Sequence, residues 1–156
     1  MGQGASERDL TMRQIIEYEN PDVIESFMGK YDVSHAEAKD IFRELMKFLW
    51  LGHVSDVPSV RAIDNPLIII DEMWHTFILF TKSYGEFCRD YFGQFRHHQP
   101  STASDKAPDF THDELIEDQR ERYGEIIDHL GEHTFEKWFF WFPEVYSVEN
   151  IRNMRK

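Results

Sequence analysis

Helix-start signals recur along this chain, and almost no stretch alternates polar and apolar residues with the period of two that a half-buried strand needs. Asn20-Pro21 reads as an N-cap followed by proline in the first turn, opening a helix over "PDVIESFMGKY". Ser34 and Glu37 have capping-box spacing ahead of a segment in which Ala38, Ile41, Phe42, Leu45, Phe48 and Leu49 return at helical intervals. Gly52 is placed to stop that helix, and "HVSDVPSVRAID" after it reads as a loop. Asn65-Pro66 opens a helix reaching about Phe80, apolar on most faces and therefore central; the run "LIII" inside it is strand-like only in isolation. Ser83 and Glu86 repeat the capping box and begin a short helix that ends near Gly93. Thr111 and Glu114 do the same for a charged helix ending near Gly131, and the aromatic run "FEKWFFWF" closes on Pro143. The expected fold is all-α: a single compact bundle of about six or seven helices with a central helical hairpin. It spans residues 1–156, with 1–9 disordered and 94–110 a long irregular connection.

At 156 residues, a chain that is 41% hydrophobic and 15% aromatic can bury a sizeable core without disulfides or metal staples. Its one cysteine cannot form an internal disulfide, which fits a reducing, cytoplasmic setting. The formal net charge of −12 repels phosphate backbones, and the basic residues are scattered, so nucleic acid is not an expected partner. No apolar run is long enough to span a bilayer, and the polar opening "MGQGASERDL" is unlike a secretory leader. Those first residues do fit the M-G-x-x-x-[ST] rule for acylation at Gly2.

Chemistry-bearing side chains gather in "DEMWHTFILFTKSYGEFCRDYFGQFRHHQP", residues 71–100. Asp71 and His75 are one helical turn apart and share a face. With a hairpin turn near Lys82, His75 and Cys88 stand at nearly the same height on facing helices, and Tyr84 lies one turn before Cys88. Beyond Gly93 the chain turns out towards His97 and His98. Asp71, His75, Cys88 and one of the two histidines can therefore converge, with Trp74 and Tyr84 beside them. Three readings fit. The first is a site for zinc or another divalent transition ion, since these are the N, S and O donors such ions accept. The second is a buried polar network that fixes helix packing. In the third, Cys88 is a nucleophile with His75 as its base and Asp71 orienting the imidazole.

Elsewhere the signals are plainer. His129 and His133 are four apart, but Gly131 between them ends the helix, so a solvated helix terminus explains them. "HDELIEDQRERYGE" is a solvated charged face, and His35 follows the Ser34 cap at the surface. "WFFWF" reads as core or as an edge covered by a protein partner or a second copy.

The order Asp71-x-x-Trp74-His75, Tyr84-x-x-Phe87-Cys88, Gly93, His97-His98-x-Pro100 resembles the core pattern of the glycine-rich domain-containing protein-like family. That resemblance covers about thirty residues and implies a helical domain whose marked positions are Asp71, Trp74, His75, Tyr84, Cys88 and His98. It does not carry RNA binding with it, because the chain has only eight glycines and no glycine-rich segment. Many relatives have a second histidine where Thr76 or Phe77 stands here, which weakens a metal site confined to that one helix. The expected function is thus a non-enzymatic domain of that type that binds a divalent metal through Asp71, His75, Cys88 and His98. A metal- or cysteine-dependent enzyme using the same residues, or a protein-interaction adaptor, are the alternatives.

Overall fold

The computed structural model describes residues 10–98 and 110–156. Among them the chain is α-helical with no strand; the one β-type bridge pairs Tyr31 with Arg155. Two short helices, α1 (Met12–Ile16) and α2 (Pro21–Lys30), lead into α3 (His35–Val54). Two 3-10 turns, Pro58–Arg61 and Asn65–Leu67, then carry the chain to a hairpin of α4 (Ile68–Leu79) and α5 (Thr81–Phe92). After the connection follow α6 (His112–Leu130), α7 (Glu132–Glu136), a π-helical turn (Lys137–Trp141), α8 (Phe142–Val145) and α9 (Val148–Met154). No helix among the described residues is long and apolar enough to cross a membrane.

Helix α3 packs against α1, α2, α4 and α6 and is the axis of the bundle. Ala38, Ile41 and Leu45 on the stripe that the helical periodicity marks out are fully buried, and so are Met46 and Leu51 outside it, because neighbours surround the helix. Its start is capped as the spacing requires, with Ser34 accepting from the Glu37 amide, and Thr111 and Glu114 form a full capping box on α6. Asn20 caps α2 and Pro21 occupies its first turn.

A carboxylate sits inside this core. Glu44 on α3 is 1% exposed, and it accepts from Trp138 Nε1 at 2.8 Å, Lys47 Nζ at 3.0 Å and Lys137 Nζ at 3.1 Å. Every one of these donors compensates part of the cost of burying the charge, and together they tie α3 to the π-helical turn. Trp138 and Phe142 of the aromatic run point inward and are fully buried. Phe140 and Trp141 are exposed, so an interface through this run has to use them and not Trp138.

Several local expectations need correction. Gly52 does not end its helix: α3 runs on to Val54, and the Gly52 carbonyl is turned to Arg61, whose Nε and Nη2 donate to it at 3.0 and 2.8 Å. The "loop" after α3 is partly ordered into the Pro58–Arg61 turn by that contact. Ser83 does not cap α5. The hairpin turns at Phe80, α5 starts at Thr81, and the Ser83 hydroxyl donates to the Phe80 carbonyl and accepts from Asn20. The expectations for residues 1–9, including acylation at Gly2, fall outside the described residues, as does most of the 94–110 connection.

Candidate metal centre

Helix α4 buries Ile69, Ile70, Met73, Trp74 and Phe77 against the core. Asp71 and His75 lie off that face, four residues apart on the rim, where Asp71 is partly covered and the His75 side chain is 48% exposed. The third residue comes from outside the helix. Gly93 takes φ 70°, the left-handed conformation that ends α5, and the chain doubles back so that His98 reaches the Asp71–His75 pair.

The segment carrying His98 is held by residues of the hairpin. Tyr84, fully buried on α5, donates its hydroxyl proton to the Arg96 carbonyl and accepts from Trp74 Nε1 at 3.0 Å. Burial pushes the Tyr84 pKa up, so the hydroxyl stays a donor. Cys88, one turn further along α5, takes a hydrogen bond from the Arg96 backbone and lies against the Tyr84 hydroxyl. The Trp74 indole stacks on the His98 ring with centroids 4.0 Å apart and planes 12° from parallel. Tyr84 and Cys88 thus grip both sides of one peptide unit region two residues before His98, and Trp74 sets the ring plane.

The side-chain nitrogen and oxygen atoms that result are close together. His98 Nε2 is 2.7 Å from Asp71 Oδ1 and 2.9 Å from His75 Nε2, and His75 Nε2 is 3.5 Å from Asp71 Oδ2. Ligands held 2.0–2.1 Å from one ion stand about 2.9 Å apart at right angles and about 3.4 Å apart in a tetrahedron. The observed separations bracket those values. Hydrogen bonding accounts for part of the arrangement, because the two imidazole Nε2 atoms are within hydrogen-bond distance of each other. Here Asp71 Oδ1 is buried and makes no hydrogen bond of acceptable geometry, although His98 Nε2 is within contact distance. Asp71, His75 and His98 each turn one donor atom towards a common space, an arrangement that can hold a cation.

The hairpin brings Asp71, His75 and His98 together and leaves two expected members out. His97 is exposed and sets its ring against the edge of Phe95. Cys88 is fully buried and stands outside the converging group, whereas His75 faces out, so the two do not share an interior face. With the turn at Phe80, they are also at different heights along the hairpin. Burial raises the Cys88 pKa, partly offset by the Arg96 amide and charge, and a thiol kept protonated in a dry core is not an activated nucleophile. Alkylation of Cys88 by iodoacetamide in the folded protein is therefore expected to run slower than for an exposed thiol of ordinary pKa; an equal or faster rate would contradict this placement.

Among the described residues the other histidines form no second centre. His129 faces Glu125 at 3.2 Å, and Gly131 separates it from His133 on α7. The residues that the sequence did not single out are Arg61 and Arg96. They line a cleft of about 630 Å³ that also borders Trp74 and His98. No spacing rule marks such a pair, because the 3-10 turn and the 94–98 segment meet only in the fold.

Neither the curated proteins nor the solved structures contain a match to the chain. The model of the UCP032817-like family matches residues 11–115, which hold α1 to α5 and the converging Asp71, His75 and His98, and the chain belongs to that family.

Proposed function

We propose that this helical domain binds a divalent transition-metal ion through Asp71, His75 and His98, and that Tyr84, Cys88 and Trp74 serve by fixing the segment that carries His98. The observation that carries this is the convergence of two imidazole nitrogens and a carboxylate at 2.7, 2.9 and 3.5 Å around a buried oxygen that lacks a hydrogen bond. Two nitrogens and one oxygen suit zinc and the other imidazole-seeking divalent ions better than calcium or magnesium, which prefer oxygen alone. The resemblance to the glycine-rich domain-containing protein-like family belongs to the same reading. In this reading the marked positions of that pattern divide the work: Asp71, His75 and His98 as ligands, Tyr84 and Cys88 as anchors, Trp74 as the stacking plate, with Gly93 as the turn.

Elemental analysis of tag-free protein, followed by titration of chelator-treated protein with zinc, tests the proposal. About one bound ion per chain is expected. Less than about a tenth of an equivalent as purified, with no saturable zinc uptake on titration, would refute it.

A metal-dependent enzyme is the second reading, favoured by one observation. Three protein ligands leave coordination positions open, and the 630 Å³ cleft borders His98 directly. The adaptor reading draws on the exposed pair Phe140 and Trp141.

A further inference from the structure

We propose that the cleft between the end of α3, the Pro58–Arg61 turn and the 94–98 segment binds a small organic oxyanion, a carboxylate or phosphate group carried on an apolar body. This inference borders the metal reading at His98 but does not depend on it.

The cleft's charge is opposite to that of the whole molecule. The chain carries a net −12, yet among the described residues the lining includes Arg61, Arg96, His97 and His98 and no aspartate or glutamate. Phe48, Trp74 and Phe95 supply apolar walls. At about 630 Å³ the space is of the size that small-molecule sites occupy, with apolar walls and a few polar groups that fix orientation.

Both guanidinium groups are held in place before any ligand arrives. The Gly52 carbonyl accepts from Nε and Nη2 of Arg61, which fixes the direction of that fork. The Arg96 guanidinium lies over the Phe92 ring at 5.4 Å, and its backbone is gripped by Tyr84 and Cys88. Arg96 Nε is buried without a hydrogen-bond partner. Arg61 and Arg96 line the same cleft, so their like charges face one space. A buried donor left unmade and a pair of like charges brought close are each unfavourable in the free protein. An oxyanion between the two arginines removes both penalties, since it accepts from Nε and neutralises the repulsion. Guanidinium forks suit the planar carboxylate and the phosphate group equally well.

The test is titration calorimetry of the full chain with benzoate, phenyl phosphate and the uncharged benzamide, in chelator-treated and in zinc-loaded protein. At least one anion is expected to bind with Kd below about 1 mM. Benzamide should bind at least about tenfold more weakly. A preference for benzoate identifies a carboxylate ligand and a preference for phenyl phosphate a phosphorylated one; either supports the proposal. Arg96→Gln should weaken anion binding by about tenfold or more, and Arg96→Lys by less, because it keeps the charge and loses the fork. Should either variant fold poorly, the 15N-detected Nε–H signal of Arg96 in the unaltered protein serves instead, and it should shift on adding the anion. Affinities weaker than about 10 mM for both anions in both states would overturn the inference. So would benzamide binding as tightly as the anions, or an unmoved Arg96 signal. Binding seen only with zinc and insensitive to Arg96→Gln would also overturn it, since the ion alone would then hold the anion. Anion binding by protein that takes up no zinc would refute the metal site and leave the anion site standing.

Discussion

Replacing His98 with alanine is expected to lower zinc affinity by more than about a hundredfold, beyond the 10- to 100-fold that loss of an outer-shell partner costs. His98 Nε2 is the atom in contact with both Asp71 and His75, so its removal leaves only an i, i+4 pair on a half-exposed helix rim. Tyr84→Phe keeps all three converging side chains and deletes the hydroxyl that holds the Arg96 carbonyl; its expected loss is about 10- to 100-fold. His97→Ala, at an exposed ring outside the group, should change little. Competition against a chelating dye measures all three. Equal affinities for the His97 and His98 variants would show that the converging atoms do not bind the ion.

The largest effect on stability is expected far from that site. Glu44→Ala should destabilise the protein by about 3–5 kcal/mol, the usual result of removing one partner from a buried ionic cluster. The remaining donors explain the size. Trp138 Nε1 loses its acceptor in a fully buried position, and Lys47 and Lys137, whose side chains are 15% and 13% exposed, lose their nearest buried counter-charge. Lys137 keeps Asp40 at 2.7 Å, which limits the cost. For a chain of this length the melting temperature should fall by roughly 10 °C. Glu117→Ala is the control. Its salt bridge to Arg120 is long, at 3.6 Å, and solvent-exposed on both sides, so a change within about 0.5 kcal/mol is expected. Thermal unfolding followed by circular dichroism separates the two, and a Glu44 variant as stable as the Glu117 variant would mean the cluster contributes no net stability.

Much of the fold is readable from local chemistry. Asn20, Ser34 and Thr111 cap the helices that their spacing announces, because a cap is a contact between residues three apart and needs no tertiary partner. Ser83 fails for the same kind of reason in reverse. Its hydroxyl has a better-placed partner in Asn20, sixty-three positions away, and no periodicity records that. Gly52 looks like a stop, but the guanidinium of Arg61 takes its carbonyl and α3 continues for another half turn.

The site divides in the same way. Asp71 and His75 are legible as an i, i+4 pair on one helix. Which of His97 and His98 joins them is decided by the Tyr84–Arg96 bond and the Trp74 stack, both long-range contacts. The position of Cys88 is misjudged because height along a hairpin says nothing about the side of the helix a residue occupies, and because the turn comes two residues earlier than the Ser83 signal implies. What the thiol does instead, bonding the backbone of Arg96, still serves the same cluster.

The π-helical turn at Lys137–Trp141 amounts to a single surplus position in an otherwise ordinary α-helix. Shortening the run by one residue would restore α spacing and leave Trp138 and Phe142 three apart, still on a common face. The interior can therefore be satisfied by a shorter sequence. What the surplus position adds is room for two neighbouring aromatic side chains, Phe140 and Trp141, to stand in solvent where one would otherwise fit.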